Sequence, residues 1–149
     1  MINLVQKQDE GRSFEIGGAR VLIKVSGRDT NGAYSLMHWT MAPKSGSRSF
    51  GHVHGRYEET FYVLNGNLNF ILGHEIVPMS TGDFVRVPVG VRHGLENTTD
   101  QTVEMLVGFT PAGMEELFYK YRTDVSPLTL AEYVQEAKLL HATEYEPRS

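Results

Sequence analysis

Between residues 14 and 109 no apolar run goes far before Gly, Pro or Asn cuts it, and the pieces left are rich in β-branched and aromatic residues. Residues 14–16, 20–25, 34–41, 60–64, 68–72, 84–87 and 102–109 all read as short strands. Turn chemistry separates them at Gly17-Gly18, Asn65-Gly66, Gly73-His74, Thr81-Gly82 and Val89-Gly90. About eight to ten strands at such spacing leave one class of answer, an all-β sandwich or barrel. The pattern changes after Thr110. Met114, Leu117, Phe118 and Tyr121 recur at helical spacing, and residues 129–141 read as a second helix. Thr129 is placed to cap that helix, with Glu132 completing a capping box. The chain reads as a single domain. It has a polar arm over 1–13 with an apolar patch (Ile2, Leu4, Val5), a barrel over 14–110, and a helical extension over 111–149 packed outside it.

The composition narrows the partners. The 149 residues suffice for one real core. Net charge is -4, with Lys and Arg scattered, so nucleic acid is not an expected partner. Cysteine is absent, which removes disulfides, thiolate ligands and a cysteine nucleophile. The first ten residues lack the apolar centre of a signal peptide, and no apolar run approaches the ~20 residues of a membrane span. The expected setting is therefore cytoplasmic, with no membrane partner.

The chemistry concentrates in residues 46–66. His52 and His54 stand two apart, so in an extended strand both imidazoles point to one face and can reach one ion. A carboxylate follows as Glu58 or Glu59. Strand parity does not choose between them, because a loop of undetermined shape intervenes. A further imidazole, His93, comes directly after the Pro88-Val89-Gly90 turn, which fixes where its strand begins.

These two stretches resemble the motifs of the cupin superfamily. The first motif is Gly, five residues, His-x-His, three or four residues, Glu, six residues, Gly, and is matched by Gly46, His52, His54, Glu59 and Gly66. The second is Gly, five residues, Pro-x-Gly, two residues, His, three residues, Asn, and is matched by Gly82, Pro88, Gly90, His93 and Asn97. The resemblance implies a double-stranded β-helix, the jelly-roll barrel, with one divalent metal held inside by His52, His54, Glu59 and His93. It selects Glu59 over Glu58 through the six residues before Gly66. Residues 110–118 look like the segment after the barrel in small, single-domain, quercetinase-like cupins.

Three neutral imidazoles and one carboxylate suit Fe, Mn, Ni, Co, Cu or Zn rather than Ca or Mg. With the resemblance to quercetinase-like cupins, the first expectation is a metal-dependent oxidoreductase of the dioxygenase type acting on a small aromatic or enolic molecule. In related dioxygenases the ligand carboxylate also serves as base, which would make Glu59 catalytic. The same site admits a redox-free isomerase or polyketide-type cyclase, or a barrel that binds a small ligand without turnover. Substrate contact is assigned to His38, Phe61 and Met105, with Trp39 and Tyr57 ranked as packing residues. His74 and His141 are expected in solvent. A homodimer is expected, because small barrels of this kind expose sheet edges and apolar faces.

Overall fold

The computed structural model describes residues 4–46 and 51–146, so Ile2 in the arm and Arg48 at the motif loop lie outside the described residues. Two sheets of antiparallel strands face each other. The first is built from β1 (Arg12–Ile16), β2 (Ala19–Val25), β3 (Ser35–Met41), β6 (Glu58–Asn65), β9 (Phe84–Val87) and β11 (Val103–Thr110). Its spatial order is β1-β2-β3-β11-β6-β9. The second holds β5 (His52–His54), β7 (Asn67–Leu72), β8 (Glu75–Ser80), β10 (His93–Asn97) and β12 (Thr143–Tyr145) in the order β12-β5-β10-β7-β8, with β4 (Ser45–Gly46) added beside β10. The predicted jelly-roll is this pair of sheets.

Alternation decides what lies between them. Along β11, Val103, Met105, Val107 and Phe109 are buried, while Glu104, Leu106 and Gly108 face the other way. Along β6, Glu59, Phe61 and Val63 are buried and Tyr62 is exposed. The register aligns the two sets, with Phe109 opposite Glu59 and Val107 opposite Phe61. Phe70 of the opposite sheet meets Phe61 edge-on at 4.9 Å between ring centres. Each large apolar side chain so enclosed contributes about 1.5–3 kcal/mol through removal from water.

Gly46 shows why the first motif begins with glycine. Its φ is 78°, and a Cβ there would collide with the Leu95 carbonyl oxygen of the strand it pairs with. A side chain would oppose both the backbone conformation and the strand contact.

Three helices complete the fold. The turn expected near residue 30 is a short helix, α1 (Gly27–Thr30), whose start is held by Asp29 accepting from the Ser26 N–H at 2.8 Å. The two predicted C-terminal helices are α2 (Met114–Lys120) and α3 (Leu130–His141). Glu115 of α2 is buried, and its carboxylate accepts from the Gly27 N–H (2.9 Å) and the Gly113 N–H (2.7 Å), tying α1 to α2. Thr129 occupies the N-cap of α3, but its side chain makes no cap bond, so the expected capping box is not formed. Ala142 then adopts φ 48°, ends α3, and turns the chain back into the barrel as β12. No strand beyond Thr110 was expected. Among the described residues no helix is long and apolar enough to cross a membrane.

Candidate metal centre

His52, His54, Glu59 and His93 come together. Each offers one ligand atom, and these atoms all lie within 4.8 Å of one another. They arrive from three strands. β5 contributes both residues of the His-x-His pair, β10 sets His93 directly opposite His52, and β6 carries Glu59 across from the other sheet. Glu58 is on the outward side of β6 and pairs with Arg86, so the structure places the carboxylate as the motif spacing does.

Hydrogen bonds behind the ring fix how two of the imidazoles point. His93 Nδ1 donates to the Val91 carbonyl at 3.0 Å. Thr143 gives its single hydroxyl proton to the His141 carbonyl (3.1 Å), so its oxygen accepts from His54 Nδ1 at 2.8 Å. Both rings then present a bare Nε2 to the interior. Those two nitrogens lie 2.9 Å (His54) and 2.7 Å (His93) from the same oxygen of Glu59. Two lone pairs facing a carboxylate oxygen at such distances repel unless a cation stands between them. A proton can do this in the free protein, and a divalent metal fits the same donors.

The electrostatics follow from that crowding. Burial pushes the Glu59 carboxyl up, but hydrogen bonds from His54 and His93, made when Nε2 also carries a proton, outweigh it and hold the group down at about 2. Burial pulls His93 down, and the Glu59 carboxylate more than reverses this, leaving it above its ordinary value. The site attracts positive charge.

His52 and Glu59 also line a cavity of about 240 Å³. Ile16, Met41, Phe61, Val107 and Phe118 supply much of its apolar wall, and Trp39 and Tyr145 supply aromatic faces. The three side chains assigned to substrate contact separate here. Phe61 lines the cavity. Met105 does not. It is fully buried in the core, with Trp39 and Val63 as its register neighbours. His38 faces away from the cavity altogether: Ser35, Met37, Trp39 and Met41 form the inward side of β3, so His38 falls on the outer side, 3.2 Å from Glu104. Trp39, ranked as packing, is in the cavity wall, and its indole N–H has no hydrogen-bond partner among the described residues.

His141 is not in solvent. It is half-buried, and its Nδ1 shares a hydrogen bond with the Tyr57 hydroxyl at 2.7 Å. Burial, then nearby Arg56, holds its pKa below the ordinary value.

The residues missed from sequence belong to β12 and α3. In register, Thr143 stands opposite His54 and Tyr145 opposite His52. Tyr145 stacks on His52 at 5.0 Å and 27°. Its hydroxyl lies 2.5 Å from that of Tyr133, and both tyrosines line the cavity. The only signal was the alternation of Thr143 and Tyr145 in a segment too short to stand out from its helix.

Comparison with known proteins agrees with this geometry. Residues 37–109 match the family model described as a cupin domain. The chain is 31% identical over 116 residues to quercetin 2,3-dioxygenase of Aspergillus japonicus, covering 74% of this chain and 33% of that protein. It is 27% identical to quercetin 2,3-dioxygenase of Bacillus subtilis (strain 168), covering 78% and 33%. It thus spans about a third of the length of these relatives. Polyketide synthase CurC of Streptomyces cyaneus is 29% identical over 82 residues, covering 55% of this chain and 53% of that protein. Among solved structures, a predicted oxalate decarboxylase from Thermotoga maritima superposes with a TM-score of 0.66 at 22% identity, covering 72% of this chain and 99% of the other. The polyketide cyclase RemF of Streptomyces resistomycificus gives 0.62 at 21%, covering 74% and 80%. At these identities the structural matches establish the fold.

Proposed function

Because this chain belongs to the cupin superfamily and sets a three-histidine, one-carboxylate cluster in the wall of a cavity, we propose that it is a metal-dependent enzyme of the dioxygenase type acting on a small aromatic or enolic molecule. The observation that carries the proposal is the convergence of His52, His54, Glu59 and His93 beside a cavity that two of them line. A divalent transition metal held there would supply Lewis acidity to an enol or carbonyl oxygen and, for a redox-active ion, access to oxygen chemistry.

The rest is done by the chain. Among the described residues no Lys or Arg lines the cavity, so nothing there would neutralise a phosphate or a second carboxylate. One positive charge in excess, from a divalent ion and one carboxylate, matches a singly ionised enolate or phenolate. The volume of about 240 Å³ lies below the ~300–1,000 Å³ of drug-sized sites, which favours a compact ligand. Phe61, Trp39 and Val107 exclude water from the bound face. Glu59 stands at the cavity wall, where its carboxylate is placed to accept the hydroxyl proton of an entering enol.

A second reading, redox-free isomerisation or polyketide-type cyclisation at the same centre, is in keeping with the similarity to polyketide synthase CurC. One experiment separates them. The protein is purified without chelating resin, analysed for metal, reconstituted singly with Fe, Mn, Ni, Co, Cu and Zn, and offered flavonols, diketones and catechols in an oxygen electrode. Oxygen uptake with at least one redox-active ion is expected. No uptake with any of them sinks the dioxygenase reading, and substrate conversion under nitrogen would then support the second.

A further inference from the structure

Two phenols, Tyr133 buried and Tyr145 half-buried, remain without a role in this scheme. Tyr133 comes from the inner side of α3 and Tyr145 from β12, and their hydroxyl oxygens are 2.5 Å apart. Elements distant in sequence from both motifs thus bring a hydrogen-bonded pair of tyrosines to the wall of the cavity that His52 and Glu59 also line. We propose that this pair is the oxygen-recognition element of the site: Tyr145 donates to the Tyr133 oxygen, and Tyr133 donates its own proton to a second oxygen of the substrate, away from the metal centre.

Proton counting leaves one donor free, whichever phenol gives its proton to the other. Two phenols carry two protons, and the bond between them uses one. With Tyr145 as donor, Tyr133 keeps a proton directed elsewhere, and the cavity is the space it borders. A phenol whose oxygen already accepts a hydrogen bond is held in one orientation, and its outgoing bond is strengthened by the incoming one. The pair is also anchored. The Tyr133 ring packs edge-on against Tyr121 at 5.5 Å, and Tyr145 lies over the His52 ring. A simple tie between α3 and the barrel would not need to border the cavity. The ligand class follows: a planar molecule with at least two oxygens, one for the metal centre and one, set apart from it, for the phenols.

This inference rests on the metal-centre reading, and the test separates the two. The whole protein is loaded with Co(II) under nitrogen, and phenol, resorcinol and hydroquinone are titrated calorimetrically. The second hydroxyl of either diol cannot chelate the same ion as the first. The wild type should bind one diol about 3- to 10-fold more tightly than phenol, the worth of one added hydrogen bond. Tyr133→Phe should lower that diol to the affinity of phenol, and Tyr145→Phe should weaken it in the same direction. Cobalt content and the ligand-free visible spectrum should match the wild type in both variants. A merely structural role predicts lower melting temperatures with the diol preference intact, and that result overturns the inference alone. So does a wild type that binds phenol and both diols equally. If none of the three binds the cobalt form but cobalt is held, the inference falls together with the substrate class. If cobalt is not held, the metal-centre reading falls first and the inference with it.

Discussion

In the metal-free protein, the Glu59–histidine cluster should give stability a pH dependence that metal reverses. Glu59 is held at about 2 against an ordinary 4.5, and at ~1.4 kcal/mol for each tenfold change this amounts to about 3 kcal/mol. The sign follows from linkage. A depressed carboxyl contributes stability above its unfolded value, here 4.5, and loses it as the pH falls towards 2. His93 is raised, so its contribution is complete below its unfolded value of 6.5 and is lost as the pH climbs through its folded value. The cluster therefore stabilises the metal-free protein most between about pH 4.5 and 6.5. His141, held low by burial and Arg56, slopes the opposite way, so absolute stability would mix the two effects. The difference between wild type and Glu59→Gln removes that background. Measured by urea unfolding of chelator-treated protein from pH 2 to 9, the difference should approach about 3 kcal/mol near pH 5–6 and shrink on both sides. Saturating Zn(II) should turn the alkaline fall into a rise, because the metal replaces the proton between Nε2 and carboxylate and binds better as protons become scarce. A difference that stays flat from pH 3 to 8 without metal would refute the reasoning.

Other consequences can be checked more quickly. His54→Ala and His93→Ala should each abolish stoichiometric metal in plasma emission analysis while leaving far-UV circular dichroism unchanged. Thr143→Val removes the acceptor that orients His54, and chelator competition should show metal affinity lowered about 10- to 100-fold with all four ligands intact. Glu115→Ala leaves the half-buried Gly27 and Gly113 N–H groups without their acceptor and should cost about 1–3 kcal/mol in chemical denaturation. The expected homodimer has a candidate face on the outer side of β6 and β9, where exposed Tyr62 pairs with exposed Phe84. Phe84→Arg should convert a dimer to a monomer in light scattering, and a wild type that is already monomeric at micromolar concentration removes the expectation.

The cluster of His52, His54, Glu59 and His93 was legible because the motifs that carry the cupin resemblance are local spacings. His52 and His54 need only strand parity, His93 needs a turn that Pro88 and Gly90 enforce, and Gly46 and Gly66 frame Glu59. The strands were legible for the same reason, through period-two alternation and glycine turns. His38 shows where that logic stops. Alternation divided β3 into two faces correctly, but both mix apolar and polar side chains, so inward and outward could not be told apart without the partner strand β11. Met105 lies on the inward side of β11, yet depth along the barrel decides between core and cavity, and no local pattern encodes depth. Thr143 and Tyr145 were out of reach for a different reason. Their importance comes from a register against β5, and three residues after a helix carry too little pattern to declare a strand.

That late strand has a consequence for how the site comes into being. The bond orienting His54 spans 89 positions of chain. At roughly 5–20 residues per second, the two motifs are synthesised seconds before residue 143 is made. Throughout that interval β5 has β10 on one side and an open edge on the other, and His54 lacks the acceptor that selects its tautomer. A barrel caught at that stage holds its ligands in loose order. Capture of a metal there would fall in the last part of folding, and a chain shortened before Thr143 should bind ions with poorer discrimination even though all four cluster residues are present.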